Sequence, residues 1–507
     1  MLAVKNSKNW TVLLIVILAL QAMAEALTVA VVLQLDMLPA KFVILLAMVM
    51  LLLVVIVGLL MFLRVKGDVS KARRIVACVL ALLISVGCAV VSNFVSQAYD
   101  AVSDVTGSDV TTNARDMYIL VRNDDPAQGI SDTKGYVFAA IENYNTAYTD
   151  EVLNQVENAL GQKPQIKYFG QGTLLADALY AKEADALIAN GATVALLMEE
   201  EGYENFLDKA RILHTFSYES LQPQEQTQPT ETTVSVPKEI TEAPFVVYVS
   251  GSDTRSKKLT VSRSDVNILM VINPVSKQVL LLNTPRDYFV PNPAGNGALD
   301  KLTHCGLYGV DCSMEALEDL YDTQIRYYGQ INFTGFETLI NAVGGVTIYS
   351  DQSFTARDTT IVKGENKLTG AQALDFARER YNVKGGDNGR GKNQMKVIKA
   401  VIDKMTSGST IISKYSSIMD SLGGTFSTNM EMEQISKLVK MQLSDMATWN
   451  VQTFAVTGTG AHDKPYSQHG LTSYVMHLDK EMVSFASKLI DKVMDGEILT
   501  EDDLTVK

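Results

Sequence analysis

Phe245-Val-Val-Tyr-Val-Ser-Gly-Ser-Asp253, Val266-Asn-Ile-Leu-Met-Val-Ile-Asn-Pro274 and Val279-Leu-Leu-Leu-Asn-Thr-Pro-Arg-Asp287 are three apolar runs, each ending in polar or turn-forming residues. Runs this continuously apolar predict strands covered on both faces, as in a sheet packed between helices. The expected fold class is therefore α/β. If the second and third runs form a hairpin with Ile272 opposite Val279, Asp265 faces Arg286 across the ladder. The first run ends at Asp253, and a short connection returns the chain to Asp265. Two carboxylates and an arginine then share one end of the sheet.

A second polar cluster follows in Ala377-Arg378-Glu379-Arg380 and Gly385-Gly-Asp387-Asn-Gly-Arg390-Gly-Lys-Asn-Gln394. Thr369 reads as the N-cap of a helix through Ala377. On a helix Arg378 and Arg380 would point about 200° apart, so they share a direction only if the chain becomes extended there. Arg390 and Gln394 lie one helical turn apart, and Val397, Val401 and Met405 continue near that stripe as apolar residues. Guanidinium forks bind phosphate oxygens bidentately, so arginines gathered around a glycine-rich loop suit a phosphate ligand. Aspartates beside them oppose that ligand unless a cation such as Mg²⁺ or Mn²⁺ bridges carboxylate and diphosphate. The plainer alternative is a set of surface ion pairs around acids such as Glu379.

Outward from these clusters the chain is of mixed character. Its 507 residues are 47% hydrophobic and 20% charged, which excludes a disordered chain. The apolar excess lies in the first 96 residues, where Thr11–Leu35, Phe42–Leu63 and Ile75–Val95 are each long enough to cross a bilayer. Glu25 sits inside the first run, facing either neighbouring helices, a head-group region or a functional site. Lys5, Lys8 and the five basic residues of Arg64–Arg74 predict a cytoplasmic N-terminus and second loop. Everything after about Gln97 is then extracellular. The segment 1–96 carries net +5 and the rest net −18, which argues against general nucleic-acid binding.

Residues 97–220 alternate strand-like and helix-like stretches and predict a small α/β accessory domain. Its expected strands are Met117–Val121, Ile166–Phe169 and Thr193–Leu197, and its expected helices Thr149–Leu160 and Thr173–Ala184. It holds no catalytic constellation of its own. Residues 221–244 read as a linker by composition, 245–490 as the main domain and 491–507 as a tail. Cys305 and Cys312, seven apart, could close a disulfide in an oxidising exterior or, with His304, contribute to a metal site.

From Phe245 to about Lys488 the chain resembles the LytR–CpsA–Psr family, the wall-glycopolymer ligases of Gram-positive bacteria. The matching stretches are Gly251–Asp253, Arg263–Asp265, Asn283–Asp287, Asp300-Lys301 with His304, Gly329–Phe333, Val343–Val346 and Arg378–Gln394. The three spans and the small domain resemble its capsule-type branch. Thr303 and Cys305 depart from the Asn and Ala expected beside His304, and Asn341 stands where Asp is common.

The resemblance implies an external α-β-α sandwich with a mixed central sheet. It would hold a polyprenyl (undecaprenyl) diphosphate, with the tail in an apolar pocket. The implied reaction moves a phospho-glycan, capsular polysaccharide in the branch resembled, from that carrier to peptidoglycan. Polyprenyl diphosphate hydrolysis, or lipid binding without turnover in the regulation of capsule assembly, are the other classes. Asp253 and Asp265 would hold Mg²⁺. Arg263, Arg286, Arg378, Arg380, Arg390 and Gln394 would bind the diphosphate, with Arg286, Arg378, Arg380 and Asp387 as the catalytic set. The membrane, peptidoglycan and other capsule-assembly proteins are the implied partners.

Overall fold

A computed structural model describes residues 2–35, 38–63, 70–106, 116–142, 144–198, 200–217, 239–252, 254, 259, 262–407, 414, 417–418 and 421–506. The expected linker lies largely outside these described residues, and so does Asp253.

The chain forms two compact bodies. One comprises Met1–Gly107, Asp403–Gly423 and Met430–Thr448; the other comprises the remainder. In the first, helices Leu2–Leu35, Ala40–Phe62 and Lys71–Thr106 contain three segments long and apolar enough to span a membrane: Trp10–Gln34, Ala40–Phe62 and Lys71–Asn93. Leu14, Val57, Met61, Ala77 and Ala81 pack between them, and the small Ala77 and Ala81 let the helix backbones approach closely. Their outward faces are bare hydrocarbon side chains such as Leu51 and Leu82. Glu25 faces the neighbouring helices: it is buried and accepts a hydrogen bond from Gln21 Nε2 at 2.8 Å.

The second body holds both α/β domains. In the small one, β1 (Met117–Arg122), β2 (Val137–Ile141), β3 (Gln165–Phe169), β4 (Ala186–Asn190) and β5 (Ala210–Phe216) form a mixed sheet ordered β3-β2-β4-β1-β5. Helices Thr146–Leu160 and Gly172–Tyr180 fall where expected, the second ending earlier than its sequence pattern. The stretch Thr193–Leu197 is a correction. It lies in the helix Gly191–Leu197, and the strand is the preceding Ala186–Asn190. A short apolar run carries no period of its own; here Asn190 decides, its Oδ1 accepting from Thr193 N at 2.8 Å and starting a helix.

The large domain is built on β6 (Phe245–Ser252), β7 (Ser264–Asn273), β8 (Gln278–Asn283), β11 (Tyr327–Asn332), β16 (Phe426–Thr428) and β17 (Asn450–Ala455), ordered β16-β11-β6-β7-β8-β17. The β11–β6 and β8–β17 pairs are parallel and the others antiparallel. Ile272 pairs with Val279, the expected register. Tyr248, Leu269, Val271, Leu280 and Leu282 face one side, under helices Val310–Tyr321 and Lys480–Met494. Ile268, Leu281 and Val451 face the other, against Met395, Ile398 and Ile402 of helix Gly386–Thr406. The result is the expected α-β-α sandwich with a mixed sheet. Beyond Met494 the chain still packs on this core, with Leu499 buried.

Smaller strands complete the domain: β9 (Phe289–Asn292) with β10 (Ala298–Lys301), the hairpins of β12 (Val346–Ser350) with β15 (Gly364–Leu368) and β13 (Phe354–Ala356) with β14 (Thr359–Ile361), and β18 (Gly458–Asp463) with β19 (Ser473–Leu478). Cys305 and Cys312 are buried thiols not joined in a disulfide, and Cys312 Sγ donates to Asn292 Oδ1 at 3.4 Å.

Candidate active site

The polar end of the central sheet is where the two charged clusters meet. Antiparallel pairing carries β7 and β8 to a common edge, and just beyond the ladder Arg286 Nη1 donates to Asp265 Oδ1 at 2.8 Å. Arg286 Nε also lies 3.7 Å from Asp287 Oδ2, and Lys301 Nζ 3.7 Å from Asp287 Oδ1. Backbone bonds fix the chain behind these groups: Thr303 N donates to the Arg286 carbonyl and Leu302 N to that of Tyr288, both at 2.8 Å. Thr303 Oγ1 approaches Asp265 Oδ1 at 3.4 Å.

Arg263 is placed by serine packing. Ser262 Oγ bonds Ser252 Oγ at 2.7 Å, and Ser264 Oγ bonds Tyr248 and Ser250 hydroxyls at 2.9 Å. Gly306 is what lets this segment seat, because a Cβ there would stand 2.7 Å from Ser264 N. Burial lowers the pKa of the Arg263 guanidinium, with Asp265 opposing and Arg286 adding to the fall.

The second cluster arrives from the sandwich's other side. Helix Gly370–Arg378 begins after Thr369, whose N–H is returned to Gln372 Oε1 at 3.0 Å. It stops at Glu379, which is extended at φ −66°, ψ 129°. Glu379 Oε1 then accepts from the N–H groups of Tyr381 and Asn382, closing the turn. The extended residue between Arg378 and Arg380 is the condition under which the two can share a direction. Arg378 lies over the Phe333 ring, 4.1 Å from its centroid, and Arg380 over Tyr381 at 4.7 Å.

Gly385 and Gly386, at φ +92° and +56°, turn the chain into the next helix. Asp387 Oδ1 pairs with Arg390 Nη2 at 2.8 Å. Arg390 and Gln394 are both buried, and Gly391 allows the helix to reach β8, since a Cβ there would meet Asn283 Nδ2 at 2.3 Å. Burial lowers the Arg390 pKa; Asp387 and Asp265 act against this, while Arg286 and Arg380 reinforce it. Burial would lower the Arg286 pKa too, but Asp265, Asp287 and Asp387 together raise it.

Arg263, Arg286, Arg380, Arg390 and Lys301 thus act on one another's charge, with Asp265, Asp287 and Asp387 among them. Arg378 is fixed separately, over the Phe333 ring. Asp253 lies outside the described residues, and among these no cluster of three or more His, Cys, Asp or Glu residues is arranged to hold a metal. Sequence reasoning missed Asp287, Lys301, Thr303 and Phe333 as parts of this site. The Asn-Thr-Pro-Arg-Asp287 match carried the signal for Asp287; for Phe333, an aromatic at a helix start, nothing distinguished a platform from core.

The LytR_cpsA_psr family pattern matches residues 212–487, over half of the chain. The chain belongs to the LytR–CpsA–Psr family. Among its relatives is the polyisoprenyl-teichoic acid–peptidoglycan teichoic acid transferase TagU of Oceanobacillus iheyensis, 34% identical over 42% of this chain and 67% of that protein. TagU of Enterococcus faecalis is 32% identical over 38% of this chain and 64% of its own length. The protein Lin1025 of Listeria innocua, a solved structure, aligns over 50% of this chain and 100% of its own with 29% identity and a TM-score of 0.41. About a third of the TagU proteins' own length lies outside the match.

Proposed function

We propose that the chain transfers a phospho-linked glycopolymer from a polyprenyl diphosphate carrier to a peptidoglycan hydroxyl at the outer face of the membrane. The single observation that carries this is the charge balance of the sheet edge. Arg263 and Arg390 are held in surroundings that disfavour their charge, and Asp265, Asp287 and Asp387 only partly compensate. A bound diphosphate supplies the missing negative charge, in bidentate geometry with the guanidinium forks. As negative charge spreads over the transferring phosphoryl oxygens, prepositioned arginines stabilise it without having to reorganise. In this reading Arg286, Arg378 and Arg380 act on the reacting phosphoryl group, Arg263, Arg390 and Gln394 bind the diphosphate, and Asp387 orients Arg390.

The tail has a matching surface. Val266, next to Asp265, begins a row with Ile268, Met270 and Ile272 along one face of β7, about 20 Å of chain. Val266, Met270 and Ile272 are only half-buried, with Val249, Ile398 and Ile402 beside them. An apolar row that starts at the charged cluster and runs away from it fits a diphosphate head and a prenyl chain.

Asp265 is an oxygen donor of the kind a magnesium ion takes, one or two carboxylates beside substrate phosphates rather than a protein cage. With Asp253 it would hold Mg²⁺ or Mn²⁺, which when bound neutralises diphosphate charge. The TagU relatives are named for teichoic acid; the three spans and small domain favour a capsular polymer here. The basic residues near the first and second spans favour a cytoplasmic N-terminus and an extracellular large domain.

Mass spectrometry of lipid extracted from the purified full chain tests this reading. Polyprenyl phosphates are expected before and after chelation, because tail burial contributes about 0.8 kcal/mol per methylene independently of any metal. Absence of lipid, together with no binding of added polyprenyl phosphate, would contradict it. Complete loss of lipid on chelation would instead contradict the apolar row as the site of the tail.

A further inference from the structure

Resting on that reading, we infer that the small domain is a positioning element of the phosphate site, with Tyr144 as its contact and Asp300 as the hinge between them.

The small domain inserts into the large domain's core, with Ala192 packed in the same cluster as Leu307 and Tyr308. A hydrogen-bonded chain crosses there. Asn190 Nδ2 lies 3.5 Å from Tyr144 OH, Tyr144 OH 2.5 Å from Tyr308 OH, Tyr308 OH 2.8 Å from Ser467 Oγ, and Ser467 Oγ 2.5 Å from Asp300 Oδ2. Asp300 is fully buried, yet His304, Ser467 and Asn292 hold its carboxyl below the ordinary range against the effect of burial.

An ionised Asp300 only accepts, which sets the direction of every link. Ser467 gives its one proton to Asp300, so it accepts from Tyr308. Tyr308 then accepts from Tyr144, and Tyr144 from the Asn190 amide. Each hydroxyl has one proton, so no link can reverse while Asp300 stays ionised. Chains aligned in this way reinforce one another.

On the far side of Asp300 stands the charged cluster. Asp300 Oδ1 accepts from Lys301 N at 2.8 Å and faces His304 Nδ1 at 2.6 Å, pinning the first turn that follows. That turn carries Lys301, paired with Asp287, and Thr303, which reaches both the Arg286 carbonyl and Asp265. Tyr144 thereby sets the direction of Asp300, and Asp300 sets the segment that holds Asp287, Arg286 and Asp265. Neither residue touches the ligand; both act through others.

The test uses the full chain in nanodiscs and farnesyl diphosphate as the probe, with affinity measured by calorimetry. Tyr144→Phe, Ser467→Ala and Lys301→Ala are compared singly and as the Tyr144→Phe/Lys301→Ala pair, with Tyr136→Phe, which removes a hydroxyl elsewhere in the small domain, as control. Tyr144→Phe and Ser467→Ala are each expected to weaken binding about three- to tenfold, and the pair no more than its weaker-binding single member. Tyr136→Phe should leave affinity unchanged. Multiplicative effects in the pair, or unchanged affinity in a folded Tyr144→Phe chain, would overturn the positioning role alone. Absence of binding by the unmodified chain would overturn it together with the lipid-diphosphate reading. Ser467→Ala, on the large domain, answers the same question if Tyr144→Phe fails to fold.

Discussion

Arg286 and Asp265 meet at 2.8 Å although they lie 21 positions apart, because the β7–β8 hairpin returns the chain in a register that sets them opposite one another. The pair is part-buried, so its geometry is fixed by the sheet rather than by solvent. It holds a guanidinium where a diphosphate would arrive.

Arg286→Lys keeps the charge but loses the planar fork, so transfer should fall by about 10²-fold with little loss of stability. Turnover of a labelled polyprenyl diphosphate-linked glycan, alongside a thermal melt, checks both parts.

Arg378→Ala and Arg380→Ala are each expected to reduce transfer by about 10²–10³-fold while the chain remains folded. Phe333→Leu should have a smaller effect in the same direction, since the stack at 4.1 Å contributes only about 0.5–2 kcal/mol to holding Arg378. Near-normal turnover in both arginine variants would remove them from the site.

Gly391→Ala should destabilise the large domain by about 1–3 kcal/mol, because its Cβ would meet Asn283 Nδ2 at 2.3 Å and force helix Gly386–Thr406 away from β8. Denaturant unfolding measures this. Arg390 and Gln394 ride on the same helix, so weaker diphosphate binding should accompany the loss.

His469 gives the fold a pH dependence. Burial lowers its pKa to about 4, with Asp300 opposing. The unfolded chain, with an ordinary pKa of about 6.5, then takes up the proton first as pH falls. Stability should decline as pH drops from about 6.5 towards 4, by about 1–2 kcal/mol at pH 5. His469→Asn, which tolerates the residue's φ of +51°, should flatten this part of the pH–stability curve. An unchanged slope would show that the imidazole is not the group responsible.

Much of the sheet was legible because its strands carry a continuous hydrophobic signal. Strands covered on both faces leave register open, so Ile272 opposite Val279 was legible only as a condition, which the β7–β8 pairing meets. The extended break between Arg378 and Arg380 was legible as a geometric condition, and Glu379 meets it by ending the helix. What lay hidden depends on contacts between distant segments. Thr303 reaches the site through a backbone bond to Arg286, which no side-chain pattern announces. The run Thr193–Leu197 suits a strand or a helix because four apolar residues after a threonine carry no period of their own, and the cap at Asn190 decides for the helix. The chain Asn190–Tyr144–Tyr308–Ser467–Asp300 joins residues up to 323 positions apart and becomes visible only once both domains are folded.

The most direct measurement incubates the purified full chain with a polyprenyl diphosphate-linked glycan and Mg²⁺, with and without peptidoglycan acceptor, and follows polyprenyl phosphate and acceptor-bound glycan. Acceptor-dependent release of polyprenyl phosphate, with equal glycan gained by peptidoglycan, is the expected result. Equal release without acceptor would make the chain a hydrolase, and bound lipid with no release would make it a lipid-binding protein; either contradicts the transfer reading.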